Sequence, residues 1–327
     1  MSGSTGPNDR PVLALSGGVG GAKLVLGLAQ VIAPEALHVL ANIGDDFEHL
    51  GLAICPDIDT LVYTLADLAD PQRGWGRRDE SWNFMAALAA LGGPTWFQLG
   101  DADLAMHVER SRRLRDGEPL ASITAAICRR LGVRATIWPA SDDRLRTHVR
   151  TSDGWLAFQE YFVAQRCEPV VEDIAYHGAT QAQPRPEALA LLRDANLRAV
   201  IICPSNPMLS IEPMLAMPAL RHALASCAAP RIAVSPIVGG AAIKGPTAKM
   251  LRELARPVDA LEAARRYAGL IDGYVVDTSD AHVARLDAAG ARVIAVPTVM
   301  REGASKERLA RECLAFADAL AARRVDD

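Results

Sequence analysis

Short apolar runs separated by longer stretches of helical or loop character set the rhythm of this chain. Val12 to Ser16 is such a run; it stops at Gly17-Gly18-Val19-Gly20-Gly21, and Ala22 to Val31 then takes up helical spacing, which predicts strand, turn, helix. Leu37 to Asn42 predicts a second strand. Ala199 to Cys203, Arg231 to Ser235, Gly273 to Val276 and Arg292 to Val296 predict four more, each short and largely apolar. Strands alternating with helices in this way argue for an α/β fold, a doubly wound, mostly parallel, Rossmann-like sheet covered by helices on both faces.

The pattern changes between Ile58 and Leu131, where Ala- and Leu-rich helical stretches are joined by segments rich in Asp, Gly and Trp. From Ala135 to Val163, β-branched and aromatic residues alternate with polar ones, notably around His148-Val149-Arg150 and Trp155 to Phe158, which predicts a small antiparallel element. Together they define a helical and small-β insertion at about residues 58–165 within a single domain of residues 11–327. Residues 1–10 are expected to be a disordered tail. Ser305 to Arg324 is amphipathic and predicts a final helix packed on the sheet.

Composition narrows the classes. Half of the 327 residues are hydrophobic and 23% are charged, so a large core can be buried. A formal charge of -4 without a basic block gives no reason to expect a nucleic-acid partner. The opening stretch has no long apolar run behind it, and no run approaches the ~18 residues of a membrane span, so neither export nor a membrane is expected and the cytoplasm is. Six scattered cysteines without a C-x-x-C pair read as buried thiols of a reducing compartment.

Two features carry chemistry. A glycine-rich turn between a first strand and a helix presents backbone N–H groups at the positive end of that helix, suited to a phosphate. The Walker pattern fails, because Ala22 stands at its last glycine and Leu24 follows Lys23. The dinucleotide fingerprint fails too: Lys23 occupies the third glycine and the second strand ends in Asn42 rather than an acid. The loop is thus compatible with a phosphate cradle and with a tight turn that binds nothing. The second feature is acidic: Asn42-Ile43-Gly44-Asp45-Asp46 and Pro56-Asp57-Ile58-Asp59-Thr60 bring four carboxylates near the carboxyl end of the sheet. Acids beside a phosphate loop repel their ligand unless a divalent cation lies between, which points to Mg²⁺. The alternative for Asp57 and Asp59 is a helix N-terminal role before Leu61.

Four further segments are dense in Gly, Trp, Asp and Asn: Trp75 to Trp82, Leu99 to His107, Pro139 to Asp143 and Pro204 to Pro207. With Ser16 to Lys23 and Pro56 to Thr60 they make six ordered motifs, and from Leu13 to about Met300 the chain resembles the 2-phospholactate transferase family of coenzyme F420 synthesis. The resemblance implies a guanosine diphosphate-linked donor of a phosphorylated three-carbon acid, a magnesium ion, the deazaflavin alcohol Fo as acceptor, and a homodimer. It implies Asp59 as the catalytic acid contacting the acceptor, and Asp45 and then Asp57 as metal ligands. Gly17, Gly18, Gly20, Gly21, Lys23, Ser205 and Asn206 fall on the nucleotide side; Gln98, Asp101, Asp103 and His107 fall on the acceptor side. Gln98 departs from the basic residue of archaeal relatives, and His107 also reads as a helix residue satisfied by hydrogen bonding. Trp75 and Trp82 suit either a deazaflavin ring or the insertion's own core. The rival reading is a non-catalytic regulator of a related family that binds a uridine diphosphate sugar.

Overall fold

The computed structural model describes residues 6–242, 245–285 and 290–326. Seven strands form the central sheet: β1 (Val12–Ser16), β2 (Leu37–Ala41), β3 (Thr136–Pro139), β4 (Ala199–Ile202), β5 (Arg231–Val234), β6 (Gly273–Asp277) and β7 (Arg292–Val296). All neighbours run parallel, in the order β7-β6-β5-β4-β1-β2-β3. The inner strands are buried on both faces, which is why they read as continuous apolar runs rather than alternations. The order reverses between β1 and β4, so the loops leaving these two strands diverge and open a crevice at their carboxyl ends.

Four helices matter for that crevice: α1 (Gly18–Val31) after β1, α2 (Pro56–Leu65), α3 (Asp101–Arg115) and the terminal α4 (Gly303–Asp326). The terminal helix packs on α1 and on the sheet, as its amphipathic pattern predicts. The six strands expected from apolar runs are all present. β3 corrects the expectation for the segment starting at Ala135. Thr136–Pro139 pairs parallel with β2 as the edge of the central sheet, and its alternate burial is what an edge strand shows. Pro139 ends it, where a missing N–H does least harm. The small antiparallel sheet follows, with Arg146–Thr151 between Gly154–Ala157 and Asp173–His177. The additions to the core therefore fall in two pieces, before and after β3, and not in one insertion.

Of the expected tail, residues 1–5 lie outside the described residues. Pro7–Asp9 forms a 3-10 turn that is docked: Ala33 N–H donates to Asn8 O, and Arg198 donates to the Asn8 side chain. Among the described residues no helix is long and apolar enough to cross a membrane.

Candidate active site

A cavity of about 940 Å³ occupies the crevice at the switch point. Its floor is organised by Asn42, which follows β2 and is fully buried. The Asn42 Oδ1 accepts from Gly44 N–H at 2.9 Å, fixing the amide, and Nδ2 then faces Asp57 Oδ2 at 2.9 Å, Asp45 Oδ1 at 3.1 Å and Leu209 O at 3.1 Å. The residue that spoils the dinucleotide fingerprint is the hub joining the two acidic loops.

The glycine turn is shaped by these neighbours. Gly18 sits at φ +65°, and its N–H donates to Asp57 Oδ1 at 2.5 Å. A Cβ on Gly17 would lie 2.3 Å from Asp57 Oδ2 and 2.6 Å from Ser210 Cβ, so a larger residue would force the acid away. Ser205 stitches the loop after β4 to the loop after β1, accepting from Gly17 N–H at 3.2 Å and donating to Gly17 O at 2.7 Å. Gly20 and Gly21 are pressed against Pro204 O and the Ser16 and Ser205 hydroxyls. The turn is therefore not the bare row of donors that its sequence suggests, since two amides are already engaged. Helix geometry leaves the Val19 and Gly20 amides without intrahelical partners, and both residues line the cavity. Lys23 also lines it and donates to Met300 O at 3.1 Å. Asn206 accepts from Met208 and Leu209 N–H through Oδ1, which leaves its buried Nδ2 without a protein partner at the cavity wall.

Asp45 and Asp57 are 8% and 4% exposed, yet among the described residues neither has a side-chain cation hydrogen-bonded to it. Burial raises the Asp57 pKa to about 6. Burial, then the nearby charges of Asp57 and Asp46, raise Asp45 well above the usual carboxylate range. Behind them burial raises Asp46 to about 7, with Arg146 opposing the shift. Among the described residues no group of three or more His, Cys, Asp and Glu side chains converges as a metal cage. Two hard oxygen donors without a paired side-chain cation among the described residues suit a small cation completed by ligand oxygens and water, while the helix N-terminus beside them suits the phosphate.

The other wall comes from the first insertion and is electrostatically different. Asp59, on the same helical turn as Asp57, receives both terminal nitrogens of Arg110, NH1 at 3.1 Å to Oδ2 and NH2 to Oδ1. Arg110 is 1% exposed and also reaches Ala53 O and His107 Nδ1, each at 3.4 Å. His107 Nε2 lies 3.2 Å from Asp103 Oδ1, which accepts from the Tyr63 hydroxyl at 2.5 Å. Asp59, Tyr63, Asp103 and His107 all line the cavity.

Asp101 is placed elsewhere. Its carboxylate accepts from Ser81 Oγ, from Asn83 N–H and Nδ2, and from Phe84 N–H, capping the helix Asn83–Ala90; the Ser81 hydroxyl leads the interactions that lower its pKa to about 2. Glu80 answers by accepting from Ala102 and Asp103 N–H at the start of α3, packed so closely that a Cβ on Gly100 would lie 2.3 Å from Glu80 Cδ. The two motifs Trp75 to Trp82 and Leu99 to His107 are thus the halves of a mutual capping clasp. Gln98 lies at the cavity rim and donates to Thr95 O. Trp82 packs with Met85 and Leu99 in the insertion's core, while Trp75 is 48% exposed at the cavity; Arg73 stacks over Trp82 at 4.5 Å.

The sequence reading missed Arg110, Tyr63 and Glu80. The buried positions of α3 are Asp103, His107, Arg110 and Ser111, a helical repeat in which every member is polar. Apolar periodicity does not register such a face; the spacing of three ionisable residues at i, i+4 and i+7 was the available signal.

A doubly wound sheet with a glycine turn and two buried carboxylates in a cavity at its switch point defines an α/β protein of the class that binds ligands at the carboxyl ends of its strands. The model of the family described as 2-phospho-L-lactate transferase CofD matches residues 12–311, and the chain belongs to that family. It is a transferase of coenzyme F420 biosynthesis. The phosphoenolpyruvate transferase of Kitasatospora aureofaciens is 41% identical over 315 residues, covering 94% of this chain and 98% of that protein. The phosphoenolpyruvate transferase of Mycolicibacterium smegmatis is 38% identical over 327 residues with the same coverages. A solved UPF0052-family structure from Bacillus halodurans superposes with a TM-score of 0.62 at 14% identity, covering 94% of this chain and 99% of that one, a likeness of fold.

Proposed function

We propose that this cavity transfers a phosphorylated three-carbon acid from a guanosine diphosphate-linked donor to the terminal ribityl hydroxyl of Fo. The hydroxyl oxygen forms a bond to the phosphorus nearer the acid, the bond from that phosphorus to the bridging oxygen breaks, GMP leaves with the bridging oxygen and its electron pair, and the hydroxyl proton is released to solvent. The names of the relatives favour phosphoenolpyruvate over 2-phospholactate or 3-phosphoglycerate as the acid carried. Asp45 and Asp57 would hold Mg²⁺, which supplies charge neutralisation at the phosphate oxygens when bound. The observation that carries this reading is that buried pair at the switch-point cavity, hydrogen-bonded to no side-chain cation among the described residues.

The chain's residues then divide the work. Ser205 and the glycines fix the loop against which the diphosphate lies, and Asn206 Nδ2 offers a donor to the nucleotide. Asp59 accepts a hydrogen bond from the attacking hydroxyl. In a loose phosphoryl-type transition state the proton need not leave early, so orientation is the larger contribution. Trp75 and the apolar wall suit the flat deazaflavin ring. A homodimer in the cytoplasm completes the reading.

The test is mass spectrometry of the protein incubated with Mg²⁺, Fo and each of the three guanosine-linked donors in separate tubes. A mass gain on Fo with the phosphoenolpyruvate donor is expected. No product in any tube, together with tight binding of a uridine diphosphate sugar, would replace the transferase reading with the regulatory one.

A further inference from the structure

Arg110 is the largest fully buried side chain among the described residues, and it touches none of the reacting groups of the proposed transfer. Stability does not explain it. A buried ion pair seldom outperforms a well-packed apolar pair of the same volume, because two charges must first leave water. What the pair provides is geometry. The guanidinium is planar, and its two terminal nitrogens take one lone pair on each oxygen of Asp59, which fixes the plane of the carboxylate as well as its position.

Arg110 is itself immobilised. It projects from the interior of α3, whose first turn is locked by Glu80, and NH1 is shared with Ala53 O and His107 Nδ1. The remaining lone pairs of Asp59 are left to accept from the cavity that this residue lines. The Asp59 charge is offset within the protein, unlike those of Asp45 and Asp57. An acid prepared in this way is suited to a neutral donor such as a hydroxyl.

We propose that Arg110 is a positioning residue for the transfer: it holds Asp59 as a fixed hydrogen-bond acceptor for the attacking hydroxyl and acts on the reaction chiefly through Asp59. The proposal rests on the reading of Asp59 as the acid that meets the acceptor alcohol.

The experiment is steady-state kinetics on Arg110→Lys, Arg110→Met, Asp59→Asn and the double variants, with thermal melting as the control for folding. Arg110→Met is expected to lose about 10²-fold in kcat/KM for the acceptor while the KM for the donor stays close to wild type. Arg110→Lys, which keeps the charge without the fork, should recover part of that loss. Combining either change with Asp59→Asn should cost little more than Asp59→Asn alone, since a residue acting chiefly through another is nearly silent once that other is gone. A folded Arg110→Met with unchanged acceptor kinetics, or an additive loss in the double variants, overturns the proposal. If Arg110→Met fails to fold, the same cycle with Arg110→Lys decides it. Wild-type turnover in Asp59→Asn would instead remove the underlying reading of Asp59.

Discussion

Asp57 and Asp59 stand two residues apart on the first turn of α2, equally buried, and live in opposite electrostatic worlds. Two residues along a helix turn the side chain by roughly 200°, so neighbours in sequence face opposite walls. Asp57 faces the sheet, where its partners are the Asn42 amide and the Gly18 N–H. Asp59 faces the insertion and is met by a full guanidinium. One carboxylate is left short of positive charge and the other is supplied with it by the fold. A cation from outside has a reason to bind beside the first and none beside the second.

The largest expected effect breaks the comparison on the compensated side. Asp59→Leu strands Arg110 as a buried unpaired cation, and losing one partner of such a pair costs about 3–5 kcal/mol. Urea unfolding should show a midpoint shift of that size; a variant as stable as wild type would mean that water or another acid reaches Arg110. Asp57→Asn should do the reverse. It removes an uncompensated charge and keeps an acceptor for Gly18, which offsets much of the cost of setting an amide NH2 against Asn42 Nδ2, so the metal-free unfolding free energy should fall by only about 1 kcal/mol, well short of the Asp59→Leu loss. Turnover should nevertheless fall by about 10²–10³-fold and the magnesium requirement should rise. Unchanged turnover with a normal metal titration would remove Asp57 from the cation site.

Asp46 sharpens the contrast through pH. Its folded pKa of about 7 lies above the ordinary aspartate value of 3.8, so the folded state binds the extra proton between these limits. Stability contributed by this group is therefore greatest below pH ~4, declines as pH rises toward 7, and is flat above, a difference of a few kcal/mol at most. Asp46→Asn should melt higher than wild type at pH 7.5 and no higher at pH 4. Parallel melting curves at the two pH values would show that Arg146 and the Cys55 thiol already satisfy the charge.

The sheet side of this cavity was legible because its signals are local. A strand ending in glycines, a second strand ending in Asn42-Ile43-Gly44-Asp45, and a Pro-Asp helix start each lie within a few residues, and parallel-sheet rules bring them together. The insertion side was not, because its partners are far apart in sequence. Asp59 and Arg110 are separated by 51 residues, and nothing in either neighbourhood announces the other. Composition also misled at Asp101. An acid in a glycine-rich motif reads as ligand-facing, but the same chemistry caps a helix, and only the placement of Asn83 and Phe84 distinguishes the two.

That last distinction can be measured. Helix N-termini carry unsatisfied amides, and an acidic side chain that accepts from them contributes about 0.5–2 kcal/mol. Asp101 does this for the helix Asn83–Ala90 and Glu80 for α3, and each sits at or just before the helix start that the other caps. If the clasp is structural, Asp101→Ala and Glu80→Ala should each lower stability by about 1 kcal/mol. Together they should cost less than the sum, because releasing one half loosens the other. Neither should change the acceptor KM more than the small amount that a loosened α3 transmits to Asp103 and His107. The opposite pattern, an undiminished melting temperature with a large rise in acceptor KM for Asp101→Ala, would return Asp101 to the substrate-facing wall. The compensated side of the cavity would then extend to the rim that Gln98 occupies.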